Sequence, residues 1–326
     1  MIRTSHYLFA ALCLGSLFAC SRQFTDSYIV PKWCFAVFML FIVLAYEAVN
    51  ILFYRQNEQK DTRISVYGFI IVISCFLQAM FGVVQFFGFF QISTTLWVTG
   101  SFDNPAGFAA CLCAGFPFVG FLLSDSNKYI RYVGGLIGFV IVIAVILSQS
   151  RAGIMSIAFI CFILLNMKFF HKRWVKYLSL LCFALLLSGC YWMKKDSADG
   201  RLLIWRCSVS MVKDAPWLGH GIGSFEARYM DYQADYFRQY GLNRYSMLAD
   251  NVKHPFNEYL GVLLNFGFVG LLMILALITL LIYCYKKHPC AEKRIAFYSL
   301  ISIGVFSFFS YTFTYPFTWI VTFLCI

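Results

Sequence analysis

The sequence predicts an all-α fold: a polytopic transmembrane helical bundle of about nine or ten spans, with one long loop outside the cytoplasm that holds short helices of its own. Hydrophobic residues make up 61% of the 326 positions and charged residues only 13%, whereas about a quarter of a soluble domain is charged. Apolar windows of about 20 residues, enough to cross a hydrocarbon layer of about 30 Å, recur along the whole length. They run without the alternation of a barrel strand.

In chain order the apolar windows cover 7–20, 33–53, 64–90, 105–123, 132–147, 154–170, 177–193, 259–285 and 295–311, and a tenth begins near Phe317. The chain stops ten residues past Pro316. That is too few to cross a bilayer at about 1.5 Å per residue, so the last helix is expected to be re-entrant or the C-terminus shortened. Three regions follow: N-terminal helices over 1–193, a long polar loop over 194–258 and C-terminal helices over 259–326.

Net charge is +11, but its placement speaks of topology rather than nucleic acid. With the N-terminus inside, the short cytoplasmic segments hold Arg3, Arg55, Lys60, Arg63, Lys128, Arg131, Lys168, Lys172, Arg173, Lys176, Lys286, Lys287, Lys293 and Arg294. The short segments of the other side hold only Arg22, Lys32 and Arg151. Cytoplasmic loops concentrate Lys and Arg, so the 194–258 loop lies outside the cytoplasm. Nearly all of the 13 cysteines fall within spans and read as small apolar residues. The outer loop has Cys207 alone, so no internal disulfide forms there, and no metal-ligand spacing appears.

The 194–258 loop concentrates the polar chemistry, with nine Lys/Arg and eight Asp/Glu. Residues 201–213 read as a helix with Arg201 and Trp205 one turn apart, stopped by Pro216. Phe225, Tyr229, Tyr232, Tyr236 and Tyr240 then recur at helical spacing. That aromatic face suits the outer membrane surface or the bundle, and equally suits packing on other loop residues. Gly219, Gly221 and Gly223 lack the strand of a dinucleotide fingerprint and read as a flexible turn whose backbone N–H groups can approach an anion. Within the spans, Gln78 and Gln85 share a face and read as helix-to-helix contacts.

Three residues carry candidate chemistry. Arg151 follows a complete span, where a guanidinium must pair with an anion or snorkel to the interface. Arg201 could join it in gripping a diphosphate through charge-assisted hydrogen bonds, neutralising a leaving group without a metal ion. His254, fixed by Pro255 just before a span, is suited to take a proton from a hydroxyl. Glu258 either orients His254, acts as the base itself or only caps the following helix.

Four stretches, Gly100–Pro105, Ser150–Gly153, Arg201 through Phe225, and His254–Leu260 leading into Gly267–Gly270, together resemble the O-antigen ligase and polymerase family of bacterial polytopic glycosyltransferases. The likeness spans about residues 64–316. It implies transfer of a glycan from an undecaprenyl-diphosphate carrier to an acceptor at the periplasmic face of the inner membrane, with no cofactor. Arg151 and Arg201 would bind the diphosphate, His254 would be the base, and Trp205, Asn257 and Glu258 would complete the substrate site. The family pattern places a histidine directly before the asparagine, where this chain has Phe256. Lipid A core, a growing glycan or a protein could each be the acceptor, giving a ligase, a polymerase or a protein O-oligosaccharyltransferase. Membrane lipids are the other partner, and nucleic acid is not one. A lipid or anionic-solute transporter and a non-catalytic assembly subunit are the rival readings; a transporter calls for inverted repeats and broken or charged helices near the bilayer midplane, and the sequence has neither.

Overall fold

The computed structural model describes residues 2–54, 60–89, 98–169, 172–193, 195–287 and 290–326. Among them every regular element is helical: α1 (Ile2–Phe18), α2 (Ile29–Tyr54), α3 (Lys60–Phe86), α4 (Pro105–Gly115), α5 (Val119–Leu123), α6 (Lys128–Leu147), α7 (Arg151–Lys168), α8 (Arg173–Met193), α9 (Lys195–Asp214), α10 (Ser224–Tyr240), α11 (Glu258–Lys287), α12 (Ala291–Phe309) and α13 (Pro316–Cys325). Each apolar window read from the sequence coincides with a helix, although Arg55, Phe90, Phe170 and Lys194 lie outside the described residues. Among the described residues five helical stretches are long and apolar enough to cross a membrane: Ile29–Val49, Ser65–Phe86, Pro105–Leu123, Lys128–Leu147 and Glu258–Lys287. Three apolar helices are shorter, at Thr4–Phe18, Arg151–Met167 and Pro316–Cys325. The protein is an all-helical, polytopic membrane protein.

The chain divides into two compact units, one of Met1–Ile160, Pro289–Phe306 and Thr312–Ile326, the other of Cys161–His288 and Ser307–Tyr311. In the first unit, small residues let helices approach and serine hydroxyls tie them together. Ser299 donates to the Ala114 carbonyl at 2.6 Å, Ser302 to that of Cys113 at 2.7 Å and Ser156 to that of Ser302 at 2.8 Å. Packing and such polar pairs are what associate helices where water supplies no hydrophobic drive.

The loop 99–104 of this unit is held from several sides. Gln85 Oε1 accepts from the N–H groups of Thr99 and Gly100, each at 2.9 Å, and Ser101 Oγ donates to the Leu17 carbonyl at 2.6 Å and to Gln78 Oε1 at 3.1 Å. Gln78 and Gln85 therefore secure a loop, not the helix-to-helix contact expected of them. Gly100 has φ +56°, and a Cβ there would collide with Phe108 and Gln78. Asn104 caps α4 by accepting from Gly107 N at 2.9 Å and also accepts from the Tyr315 hydroxyl at 3.1 Å. Lys32 is fully buried, its Nζ donating to the carbonyls of Ala19 and Ser101 at 2.9 Å each and lying 4.9 Å from the centre of the Phe102 ring.

The second unit is organised around α9, whose Leu203, Ile204, Cys207 and Met211 form a buried core with Phe225 and Tyr229 of α10, Tyr245, and Leu264 of α11. The aromatic row of α10 thus packs on the loop's own helix α9, one of the two environments its spacing allowed, and the lipid-facing alternative is not taken up by Phe225 and Tyr229. Tyr232 adds a 2.5 Å hydrogen bond to Asp214, whose carboxylate pushes the phenol up to about 12. Burial pushes the Cys207 thiol up to about 11, which keeps it protonated and inert.

Candidate active site

The glycine run 219–223 is not the flexible, anion-seeking turn expected. α11 is broken at Gly267, where φ is +62° and ψ −159°, a conformation almost confined to glycine. A break frees backbone groups on both sides, and the stretch 216–221 takes them up. His220 N donates to the Leu264 carbonyl at 2.7 Å and Gly221 N to that of Asn265 at 3.1 Å, while Phe268 N and Val269 N donate to the carbonyls of Pro216 at 2.8 Å and Trp217 at 3.2 Å. Gly219 is required for the fit, because a Cβ there would stand 2.6 Å from the Asn265 carbonyl carbon; one at Gly267 would collide with the Trp217 backbone. His220 is a pin in the same joint, with Nε2 against the Met211 carbonyl at 2.8 Å and Nδ1 against Arg228 at 2.9 Å. Two partners therefore fix the orientation of its ring.

α9 carries Arg201 to a cluster of aromatic rings. Its guanidinium lies over the Phe256 ring, 4.9 Å from the centre, and Nη1 donates to the Phe309 carbonyl at 2.6 Å. Phe256 in turn meets Tyr311 edge-on at 5.4 Å, and the His254 ring stacks on Tyr311 at 4.7 Å and 22°. Arg201 and His254, 53 positions apart in sequence, therefore share one cluster through Phe256 and Tyr311. Phe256 has φ +53°, a left-handed backbone that costs a phenylalanine about 1–3 kcal/mol and gathers at functional sites. Burial holds the His254 imidazole below its usual value; Glu226 opposes that shift and Lys253 adds to it. His254 is consequently neutral at pH 7, the form that accepts a proton.

Trp205 spends its one polar atom on the loop that bears His254, donating from Nε1 to the Pro255 carbonyl at 2.9 Å while its ring meets Phe308 edge-on. Asn257 is buried, and its side chain accepts from Leu260 N at 3.0 Å, so Asn257 and not Glu258 caps α11. Glu258 is the first helical residue, where a carboxylate favours the positive end of the helix.

Arg151 belongs to the first unit. It is the first residue of α7, it is buried, and Ser150 Oγ accepts from Gly153 N at 3.3 Å just beside it. Gln149, two positions before it, has φ +53°. Burial sets Arg151 apart from a snorkelling anchor, whose charged head stays in water. Phe309 and Tyr311 are the site residues the sequence reading missed. Phe309 contributes a backbone carbonyl, which leaves no trace in residue type, and Tyr311 follows an apolar window without a distinguishing pattern.

Comparison with known proteins agrees with this picture. Residues 136–275 match the family model described as O-Antigen ligase (Wzy_C), a range that takes in Arg151, Arg201, His254 and the joint at Gly267. No curated protein and no solved structure matches the chain. The match supports a membrane glycosyltransferase of the ligase type: this chain is a multi-pass membrane protein whose residues 136–275 are similar to the O-antigen ligase family.

Proposed function

We propose that this protein transfers a glycan from an undecaprenyl-diphosphate carrier to an acceptor hydroxyl at the periplasmic face of the inner membrane. The observation that carries the reading is the single cluster of Arg201 and a neutral His254 around Phe256 and Tyr311. In the reaction the acceptor oxygen bonds to the anomeric carbon of the donor sugar while the bond from that carbon to the diphosphate oxygen breaks. The diphosphate leaves with the bonding electrons, and the hydroxyl proton passes to His254 and then to solvent. Arg201 stabilises the charge that grows on the diphosphate through donors fixed before the reaction begins. For Arg151 the same diphosphate-binding role rests on its residue type, its burial and its sequence motif.

Trp205 and Asn257 support the site from behind, one holding the Pro255 carbonyl and the other capping α11. Glu258, beside the cap, is assigned to the acceptor side by its place in the motif alone. The break in α11 is the kind of feature a transporter uses to expose backbone to a solute, yet the partners named above already engage its freed groups. Lipid A core is the acceptor of the ligase reading, with a carrier-linked glycan or a protein hydroxyl as alternatives.

The test is purified protein in liposomes with a polyprenyl-diphosphate-linked oligosaccharide and each acceptor class in turn. A glycoconjugate that forms with the wild type and is lost in Arg201→Ala supports the reading. Undiminished product from Arg201→Ala removes it, and movement of the lipid across the bilayer without product favours the transporter.

A further inference from the structure

The turn between α9 and α10 has a rigidly paired backbone and outward apolar side chains. Trp217, Leu218 and Ile222 are 69%, 74% and 84% exposed, and the stretch 216–223 has no Lys, Arg, Asp or Glu. Its histidine has both ring nitrogens engaged, by Met211 and Arg228. A surface of this kind in water calls for a cover.

The joint with α11 says what the cover is. A spanning helix tolerates a break only where its freed backbone groups find partners within the protein, and here the partners are Pro216, Trp217, His220 and Gly221. The turn therefore lies at the depth of Gly267. Lys286 and Lys287 close α11, and the stretch 268–285 between them and the break covers about 27 Å at about 1.5 Å per residue. The hydrocarbon layer is about 30 Å thick, so Gly267 stands at its far boundary. Trp217 meets Phe268 edge-on at 6.0 Å, and Phe268, Val269, Leu272 and Met273, the residues of the span that follow, are themselves exposed. Through Trp217 the apolar side chains of the turn adjoin the exposed face of α11.

We propose that the 216–222 turn is a wedge embedded in the bilayer leaflet opposite Lys286 and Lys287, with Trp217 at the headgroup boundary and Leu218 and Ile222 among the acyl chains. Tryptophan favours that boundary because its ring is apolar and its N–H polar. Since α9, which bears Arg201, leads directly into the turn, the wedge also fixes the second unit's site against the membrane surface. The inference is independent of the glycosyl-transfer reading.

The full chain is reconstituted into nanodiscs of phosphatidylethanolamine and phosphatidylglycerol with the photo-crosslinker p-benzoylphenylalanine at Leu218 or Ile222, and at Asp235 as the charged comparison. Irradiation is expected to give phospholipid adducts, seen by intact mass, at 218 and 222 and at least fivefold fewer at 235. Equal yields at the three positions overturn the proposal, as do adducts that join two copies of the chain or capture another protein. A second measurement needs no bulky probe: lipids brominated near the headgroup should quench the fluorescence of the wild type more than that of Trp217→Phe. Identical fractional quenching of the two overturns it.

Discussion

The guanidinium of Arg201 rests on the ring of Phe256 at 4.9 Å, and this contact joins the start of the long polar segment to its end, where Phe256 precedes the α11 cap. A cation over an aromatic face keeps its charge while giving up part of its hydration. The donors of Arg201 are thus partly desolvated before any anion arrives, and one is already committed to the Phe309 carbonyl.

Replacing Arg201 with Ala should lower glycan transfer by about 100- to 1,000-fold, the usual consequence of removing a fixed donor aimed at developing charge. Arg201→Lys should recover little of it, because an ammonium lacks the planar fork. Rates with a lipid-diphosphate donor check both, and equal activity of the lysine variant and the wild type would contradict a bidentate role.

His254 gives a prediction with a defined sign. Burial holds its folded-state value below the ordinary 6.5, so the neutral base persists to lower pH than it would in an exposed histidine. The acid limb of transfer should be centred below pH 6.5. In His254→Gln the rate should drop by about 100-fold or more, and the acid limb should disappear. A limb centred above 6.5, or one retained in the variant, would assign it to another group.

The joint between the two motifs predicts stability, not chemistry. Gly267→Ala places a Cβ against the Trp217 backbone in a conformation closed to alanine, at a cost of about 2–5 kcal/mol. Gly219→Ala should cost a similar amount, whereas Gly221→Ala, with open space around it despite its positive φ, should cost about 1 kcal/mol. Thermal unfolding in detergent ranks the three variants.

Asn257 separates a cap from a ligand. Asn257→Ala should lose about 1 kcal/mol of stability and Asn257→Asp almost none, while kcat per folded molecule changes little in either. A large rise in KM for the aspartate variant would reveal substrate contact instead.

Hydropathy located the helices well because each apolar window needs only a length and a composition. It missed the break in α11 because Phe266, Gly267 and Phe268 are as apolar as the rest of the span, and glycine is common in membrane helices. The partner that compensates the break lies nearly 50 positions upstream and acts through carbonyl and N–H groups common to most residue types. Period placed α10 correctly but could not say what its tyrosines face, since the same stripe suits a protein core or a headgroup layer. Arg201 and His254 were legible as a guanidinium and an imidazole in motif positions. Their meeting was not, because it runs through Phe256 and Tyr311, two rings in a chain that is 20% aromatic.

The buried Lys32 has a consequence for how the chain matures. Its ammonium is coordinated by a carbonyl at the end of α1 and by another from residue 101, which emerges from the ribosome some 70 residues later. Until that later segment arrives, the ammonium at the outer end of the first helical hairpin lacks the Ser101 carbonyl and the Phe102 ring that enclose it. Nascent chains stopped before residue 101 should therefore be short-lived substrates of membrane proteolysis, and those released just beyond it should persist.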